Sequence, residues 1–314
     1  MATAFLYAGQ GSQHAGMGRD MYEAYPAFAA VIDAADAAVD FDLKTLMFEG
    51  PDDQLNLTEY TQPCMVAFAC GMTAVLAECG IEPDYVAGLS LGEYSALAAA
   101  GVFEPVEAVK LAAFRGAAMA SAAAGRDTAM ISILGLDRAA VESVVAAAAA
   151  DSAEGTTVEV SNYNCPGQIV IAGDRAPVEA AAAAAKEAGA RRCIPLKVSG
   201  PFHTSLLKPA GDALRERLSG LELGEMRVPV LFNTLGREMG EGDDIVSLLE
   251  RQVQSSVRME DTICRLAELG VDRVIEIGPG KVLSGLVRKT AKEISCTPVE
   301  TVEDLQKLTE TQEG

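Results

Sequence analysis

Short apolar runs alternate with longer amphipathic stretches along most of the chain. Apolar runs at 3–8, 83–89, 228–232 and 273–277 each end in a loop that begins with a small or polar residue, as buried strands do. Helical patterns separate them, at 105–124, 204–218, 245–253 and 262–269. Strands that alternate with helices predict a mainly parallel sheet covered on both faces. Ligands bind at the carboxyl ends of the strands in such sheets.

The segment 127–198 has a different order of elements. Its pattern predicts strands at 128–134, 157–163, 168–172 and 192–198, with one alanine-rich helix after the first strand and another after the third. Alanine is the strongest helix former, so we interpret these runs as helices rather than as tethers. The resulting order β-α-β-β-α-β is typical of a ferredoxin-like unit. We therefore predict an inserted ferredoxin-like subdomain at 127–198, with residues 1–126 and 199–314 forming the larger domain.

Composition and charge exclude several functional classes. The 314 residues suffice for one large domain with an insertion. A formal net charge of −20 opposes binding to nucleic acid and to anionic membranes, so neither partner is expected. The first ten residues lack the basic flank of a secretion signal, and we expect no apolar stretch long enough to cross a bilayer.

Cysteine and histidine are used sparingly. The seven cysteines form no C-x-x-C pair and lie in no histidine-rich neighbourhood, so we expect reduced thiols, a cytoplasmic location and no metal site. Two glycine-containing loops, Gly9-Gln10-Gly11 and Gly278-Pro279-Gly280-Lys281, lack the full spacing of nucleotide-binding motifs. No cofactor is therefore expected.

The residues from Gly88 to Gly92, GLSLG, fit the nucleophile elbow G-x-S-x-G. In that motif small flanking residues permit a sharp strand-to-helix turn that exposes the serine hydroxyl. An ordinary turn capped by Ser90 would have the same letters. With an elbow at the end of a parallel strand, the larger domain is predicted to be α/β-hydrolase-like.

A serine nucleophile needs a base, and the chain contains only His14 and His203. His203 lies in a turn before a helix, where catalytic side chains are often presented, whereas His14 is interpreted as mainly structural. Arg115 is the only charged residue in the apolar stretch 111–125. A buried guanidinium requires an anion. That anion is either a structural partner such as Glu93 or a substrate carboxylate.

Six motifs occur in order over nearly the whole chain. They are GQGSQ from Gly9, GLSLGEYSAL from Gly88, Arg115 in its apolar helix, SNYNCPGQIVIAG from Ser161, GPFHTSLLKPA from Gly200 and EIGPGKVLSGL from Glu276. Together they resemble the malonyl-CoA:acyl carrier protein transacylases. Several separated motifs in the same order are far more specific than any single one.

The resemblance implies a role for each matching residue. Ser90 resembles the nucleophile, His203 the general base and Arg115 the residue that binds the malonyl carboxylate. The backbone N–H groups of Gln10 and Leu91 resemble the oxyanion hole. Three further positions match the family: Gln252, whose carbonyl steadies the histidine; Asn162, which lines the cleft; and Phe202, which excludes a branched acyl group.

One position departs from the family pattern. The family usually has histidine immediately before the nucleophile, and this chain has Leu89. Elbow geometry does not depend on that side chain, so the departure affects acyl selectivity rather than the chemistry.

The resemblance implies malonyl transfer from malonyl-CoA to acyl carrier protein, for fatty-acid biosynthesis, through a Ser90 acyl-enzyme in a monomer. Three alternatives stay open: an acyltransferase that supplies a polyketide synthase, a serine hydrolase, and a non-catalytic module that binds carrier protein. Because carrier proteins are usually acidic, a local basic patch is expected. The candidates are Arg191, Arg192, Lys281, Arg288 and Lys289.

Overall fold

A computed structural model describes residues 2–313 of the chain, which fold into two β-sheets with helices around them. The strands are β1 (Ala2–Tyr7), β2 (Tyr85–Gly88), β3 (Thr128–Leu134), β4 (Val158–Cys165), β5 (Gln168–Asp174), β6 (Arg192–Pro195), β7 (Val230–Phe232), β8 (Arg237–Glu238), β9 (Val257–Arg258), β10 (Val271–Ile277) and β11 (Ser295–Val299).

The helices are α1 (Arg19–Ala24), α2 (Pro26–Asp36), α3 (Leu43–Glu49), α4 (Asp52–Leu55), α5 (Thr58–Glu78), α6 (Gly92–Ala99), α7 (Pro105–Ala123), α8 (Arg138–Ala150), α9 (Arg175–Glu187), α10 (Lys208–Ser219), α11 (Ile245–Gln252), α12 (Met259–Glu268), α13 (Val282–Thr290) and α14 (Val302–Glu313). A short 3₁₀ turn, Ser205–Leu207, precedes α10.

The larger sheet has the strand order β11-β10-β1-β2-β7-β8. All neighbours pair in parallel except β7 and β8. Side chains alternate across β1, so that Phe5 and Tyr7 pack into the core on one face while Ala4 and Leu6 pack into the core on the other. The loops that follow β1, β2, β7 and β10 leave from the same edge of the sheet, as predicted for a parallel arrangement.

The smaller sheet has the order β6-β3-β5-β4-β9. Its first four strands pair antiparallel, with α8 and α9 packed on one face around a separate apolar cluster. This arrangement confirms the ferredoxin-like order β-α-β-β-α-β. The fifth strand, β9, comes from outside the segment 127–198 and pairs in parallel with β4 at Asn162 and Tyr163. The α/β fold class with two sheets is therefore confirmed.

Helix α5 corrects one expectation. Its 21 residues are long and apolar enough to cross a membrane by length and composition, although no such stretch was expected. The helix is instead the centre of the larger core, because 78% of its most apolar 18-residue window is buried. It packs against α2 and α7, with Phe28 of α2 meeting Phe68 edge to face at 5.5 Å.

Candidate active site

The turn between β2 and α6 is an elbow that only glycine permits at two positions. A Cβ on Gly88 would lie 2.0 Å from the carbonyl carbon of Gly92, and a Cβ on Gly92 would lie 2.4 Å from the backbone oxygen of Tyr7. Between them Ser90 adopts a φ of 56°, in the left-handed region that non-glycine residues rarely occupy. Such strain concentrates at functional sites. The elbow raises the Ser90 hydroxyl above the end of the sheet.

Asn233, the residue after β7, holds the elbow from the neighbouring strand. Its side-chain oxygen accepts a hydrogen bond of 2.7 Å from the Ser90 N–H, and its side-chain nitrogen donates to the Gly88 carbonyl at 2.6 Å. Glu93 in turn accepts hydrogen bonds from the backbone and side-chain nitrogens of Asn233, at 2.6 and 2.7 Å. Asn233 was not predicted as a site residue, because its contacts link residues about 140 positions apart.

His203 faces the Ser90 hydroxyl. Its Nε2 lies 2.7 Å from Ser90 Oγ, and its Nδ1 lies 2.7 Å from the backbone oxygen of Gln252. That carbonyl can only accept, so Nδ1 carries the proton and Nε2 is left with its lone pair toward the serine. His203 has a φ of 60°, like Ser90 in the left-handed region. The pair therefore has the geometry of a nucleophile and its base.

Burial controls the charge on the imidazole. His203 is 4% exposed, and burial together with the positive charge of Arg115 lowers its pKa to about 3. Near neutral pH the ring is therefore uncharged, which is the form that accepts a proton.

Arg115, on α7, also contacts the Ser90 hydroxyl. It is 1% exposed, and its two terminal nitrogens donate to Gln62 Oε1 at 2.6 Å, to Gln252 Oε1 at 2.8 Å and to Ser90 Oγ at 3.1 Å. These acceptors are all uncharged. Glu93, the structural partner considered for Arg115, makes its hydrogen bonds to Asn233 instead. The guanidinium is thus held beside the nucleophile without an anion in direct contact, and burial lowers its pKa.

Gln10 and Leu91 flank the serine. Gln10 follows β1 in the loop beside the elbow, and Leu91 begins the turn into α6. Within residues 2–313, neither backbone N–H has a hydrogen-bond partner. The Ser90 N–H, by contrast, is occupied by Asn233. The side chain of Gln10 is fixed by Thr58, whose hydroxyl donates to Gln10 Oε1 at 3.0 Å.

A cleft of about 640 Å³ leads to Ser90 and His203. Arg115, Phe202 and Asn162 line it together with Gln10 and Leu91, whereas Gln252 does not. Ser161 of β4 ties the loop before α10 to the smaller sheet by donating to the backbone oxygen of Phe202 at 2.9 Å. β6 ends at Pro195, three residues before its predicted end, and 196–198 line the mouth of the cleft.

His14 lies apart from the cleft. It is exposed and faces Glu300, with 3.4 Å between His14 Nε2 and Glu300 Oε1. In the part of the chain that the structure describes, no three His, Cys, Asp or Glu side chains gather as a metal site would require. All seven cysteines are free thiols.

Comparisons with known proteins agree with this geometry. Residues 4–312 match the acyl transferase domain family. A malonyl CoA-acyl carrier protein transacylase from Bacillus subtilis is 45% identical over 303 residues, covering 96% of this chain and 95% of that protein. Its Escherichia coli K12 counterpart is 40% identical over 94% of each chain.

Solved structures give the same result. The crystal structure of MCAT from Streptococcus pneumoniae superposes with a TM-score of 0.93 at 44% identity, over 98% of this chain and 99% of that one. A malonyl-transacylase in complex with a type II PKS acyl-carrier protein superposes with a TM-score of 0.94 at 37% identity, over 99% and 100%. The fold, the order of the motifs and these relatives lead to one conclusion: the chain belongs to the malonyl-CoA:acyl carrier protein transacylase family.

Proposed function

We propose that the protein transfers the malonyl group from malonyl-CoA to the phosphopantetheine thiol of acyl carrier protein, through an acyl-enzyme on Ser90, for fatty-acid biosynthesis. One observation carries the proposal: His203 Nε2 and an Arg115 nitrogen lie 2.7 and 3.1 Å from the same oxygen, Ser90 Oγ. A base and a carboxylate-binding cation beside one hydroxyl suit an acyl donor that carries its own carboxylate.

Acylation begins when Ser90 Oγ attacks the thioester carbon of malonyl-CoA. His203 Nε2 takes the hydroxyl proton, and the Gln252 carbonyl holds the ring in the tautomer that allows this. The oxyanion of the tetrahedral intermediate is stabilised by the backbone N–H groups of Gln10 and Leu91. The intermediate collapses with loss of coenzyme A, whose thiolate takes the proton from His203.

Transfer repeats these steps in reverse order. The thiol of the carrier protein gives its proton to His203 and attacks the acyl-serine, and the intermediate releases malonyl-carrier protein while the proton returns to Ser90 Oγ. Every proton and bond is accounted for by the chain and its two substrates, so no cofactor enters the scheme. Free thiols throughout the chain suit a reducing cytoplasm.

Arg115 selects the acyl group in this proposal. Its planar fork can hold the malonyl carboxylate in two parallel hydrogen bonds, displacing the contact to the Ser90 hydroxyl. Phe202 is 7% exposed and lines the acyl end of the cleft, where its ring would collide with a branched substituent. Asn162 of β4 also lines the cleft, and its amide oxygen accepts a hydrogen bond from Ser161 at 2.6 Å.

We assign docking of the acidic carrier protein to five exposed basic residues, of which Lys281 adjoins Val282 in the lining of the cleft. They are Arg191, Arg192, Lys281, Arg288 and Lys289. Reversing the charge at Arg192 and Lys281 should slow transfer to carrier protein severalfold, since each such contact adds to the association rate. Acylation of Ser90 by malonyl-CoA should be unchanged, and equal slowing of both steps would rule the patch out.

The function is tested by following labelled malonyl groups from malonyl-CoA in the presence of holo-carrier protein, apo-carrier protein or neither. We expect label on holo-carrier protein only, at a rate far above the release of free malonate. Release of malonate at the same rate with and without holo-carrier protein would identify a hydrolase instead.

A further inference from the structure

Glu93 and Asn233 form a buried pair behind the nucleophile that neither transfers protons nor touches the cleft. Glu93 is fully buried and Asn233 is 1% exposed. Neither lines the cleft that contains Ser90. Burying a carboxylate is costly, and burial raises the pKa of Glu93 to about 7. Because a buried carboxylate lowers the stability of the fold, we look for a different role for Glu93.

The hydrogen bonds of the Asn233 amide indicate what this role is. The Asn233 amide donates from Nδ2 to both Glu93 and Gly88, and its Oδ1 accepts from the Ser90 N–H. An asparagine amide can rotate by half a turn and exchange its oxygen and nitrogen with little change in shape. In the rotated state Nδ2 would face the Ser90 N–H, placing two donors against each other.

The chemistry of Glu93 excludes that rotated state. Glu93 Oε2 accepts hydrogen bonds from both the backbone N–H and the side-chain NH₂ of Asn233, so together with the Gly88 carbonyl it holds the NH₂ group away from Ser90 and leaves the amide oxygen facing the Ser90 N–H. The same contact keeps Ser90 at its φ of 56° and directs the Ser90 N–H away from the oxyanion site. We infer that Glu93 is a positioning residue, which fixes the orientation of the Asn233 amide and through it the nucleophile elbow.

The surroundings of the pair contain few other charges. Arg115 faces Glu93 from α7, and Tyr94 adjoins it on α6. Arg115 makes its hydrogen bonds to Gln62, Gln252 and Ser90. Its charge therefore acts on Glu93 through space, and hydrogen bonding from the side chains of Asn233 and Gln252 partly offsets the effect of burial on the pKa of Glu93.

Two substitutions separate positioning from a merely structural role. Glu93→Gln keeps the shape but offers only an uncharged acceptor, and its own NH₂ group can turn toward Asn233, so Gly88 is left as the one fixed acceptor of the amide. The rate constant for Ser90 acylation should therefore fall about tenfold. Asn233→Ala removes the acceptor of the Ser90 N–H, and a misplaced nucleophile costs on the order of 10²-fold. In both variants the KM for malonyl-CoA should change little, and the amplitude of the acylation burst should remain one per folded protein.

Asn233→Asp adds a readout that loss of structure would not produce. The introduced carboxylate would lie against Glu93, where two buried carboxylates must share a proton. Acylation by this variant should therefore be fastest near pH 5.5 and fall as the pH rises to 8, whereas the wild type should show no such fall. Glu276→Gln is the matched control. Glu276 is a fully buried glutamate of β10 that accepts hydrogen bonds from Leu283 and Ser284 of α13 and not from Asn233.

The inference rests on the proposed function of Ser90, and the wild type separates the two. If wild-type Ser90 is not malonylated, the proposed function fails. If the wild type is acylated normally and Glu93→Gln, Asn233→Ala and Glu276→Gln all acylate at its rate, the positioning role is refuted. It is also refuted if the burst amplitude falls in place of the rate constant, or if the Asn233→Asp profile matches the wild type.

Discussion

Replacement of Arg115 by alanine tests whether this residue binds the carboxylate of the malonyl group. The guanidinium is almost fully buried, and one of its nitrogens lies 3.1 Å from Ser90 Oγ, close to where a bound malonyl group would end. Removing one partner of a buried, hydrogen-bonded charge pair costs about 2–5 kcal/mol. Since 1.36 kcal/mol is a factor of ten in rate, kcat/KM for malonyl-CoA should fall roughly 30-fold to several thousand-fold.

The loss should depend on the acyl group. Acetyl-CoA has no carboxylate, so Arg115→Ala should lower its kcat/KM for Ser90 acylation by less than about fivefold, which corresponds to about 1 kcal/mol for the lost hydrogen bond to Ser90 Oγ. Arg115→Lys keeps the charge but not the fork and should fall between wild type and alanine. The assay is single-turnover acylation with each thioester, followed by mass spectrometry. Equal loss for malonyl and acetyl groups would make Arg115 a structural residue and refute the reasoning.

Two further predictions concern the base and the acyl pocket. Because the pKa of His203 is lowered to about 3, the imidazole should stay neutral from pH 8 to 5.5, as followed by the ring ¹⁵N chemical shifts of His203; a half-titration point near pH 6.5 would contradict the buried, neutral ring. The same shift means that the unfolded state binds the extra proton, so the contribution of His203 to the free energy of unfolding, measured as the difference between wild type and His203→Ala, should decrease as pH falls below about 6.5. Phe202→Ala should raise the ratio of kcat/KM for methylmalonyl-CoA to kcat/KM for malonyl-CoA about tenfold or more, as expected for one methyl group in a packed pocket. An unchanged ratio would show that another side chain excludes the branched methyl group.

Elements with strong local patterns could be predicted from the sequence. β3 is found at the predicted residues, because its apolar and β-branched run is bounded clearly, and α7 begins at Pro105 as predicted. The five helices between residues 19 and 78 were not predicted. Most residues of α5 are buried on every side, so it has no polar face to give a period of 3.6. The strand β11 is short, half-buried and contains Pro298, and it was missed as well.

The site was predictable where residue types were scarce or out of place. Two histidines in the chain and one charge in an apolar helix led directly to His203 and Arg115. The Glu93–Asn233 pair was not predictable, because it joins positions 140 residues apart. In addition, a glutamate in the first turn of a helix, such as Glu93 in α6, is common and attracts no attention in a sequence. The catalytic and binding roles of the site residues and the domain boundaries at 126 and 199 remain predictions; the residues concerned are Ser90, His203, Arg115, Gln10, Leu91, Phe202, Asn162 and Gln252.

The central claim is that Ser90 carries the acyl group. The most direct measurement is to incubate the protein with malonyl-CoA alone and to identify any adduct by intact-protein and peptide mass spectrometry, with Ser90→Ala beside the wild type. The account predicts one malonyl group on the Ser90 peptide, absent from Ser90→Ala and discharged by holo-carrier protein. An unmodified Ser90 in folded protein, or an adduct that persists in Ser90→Ala, would contradict it.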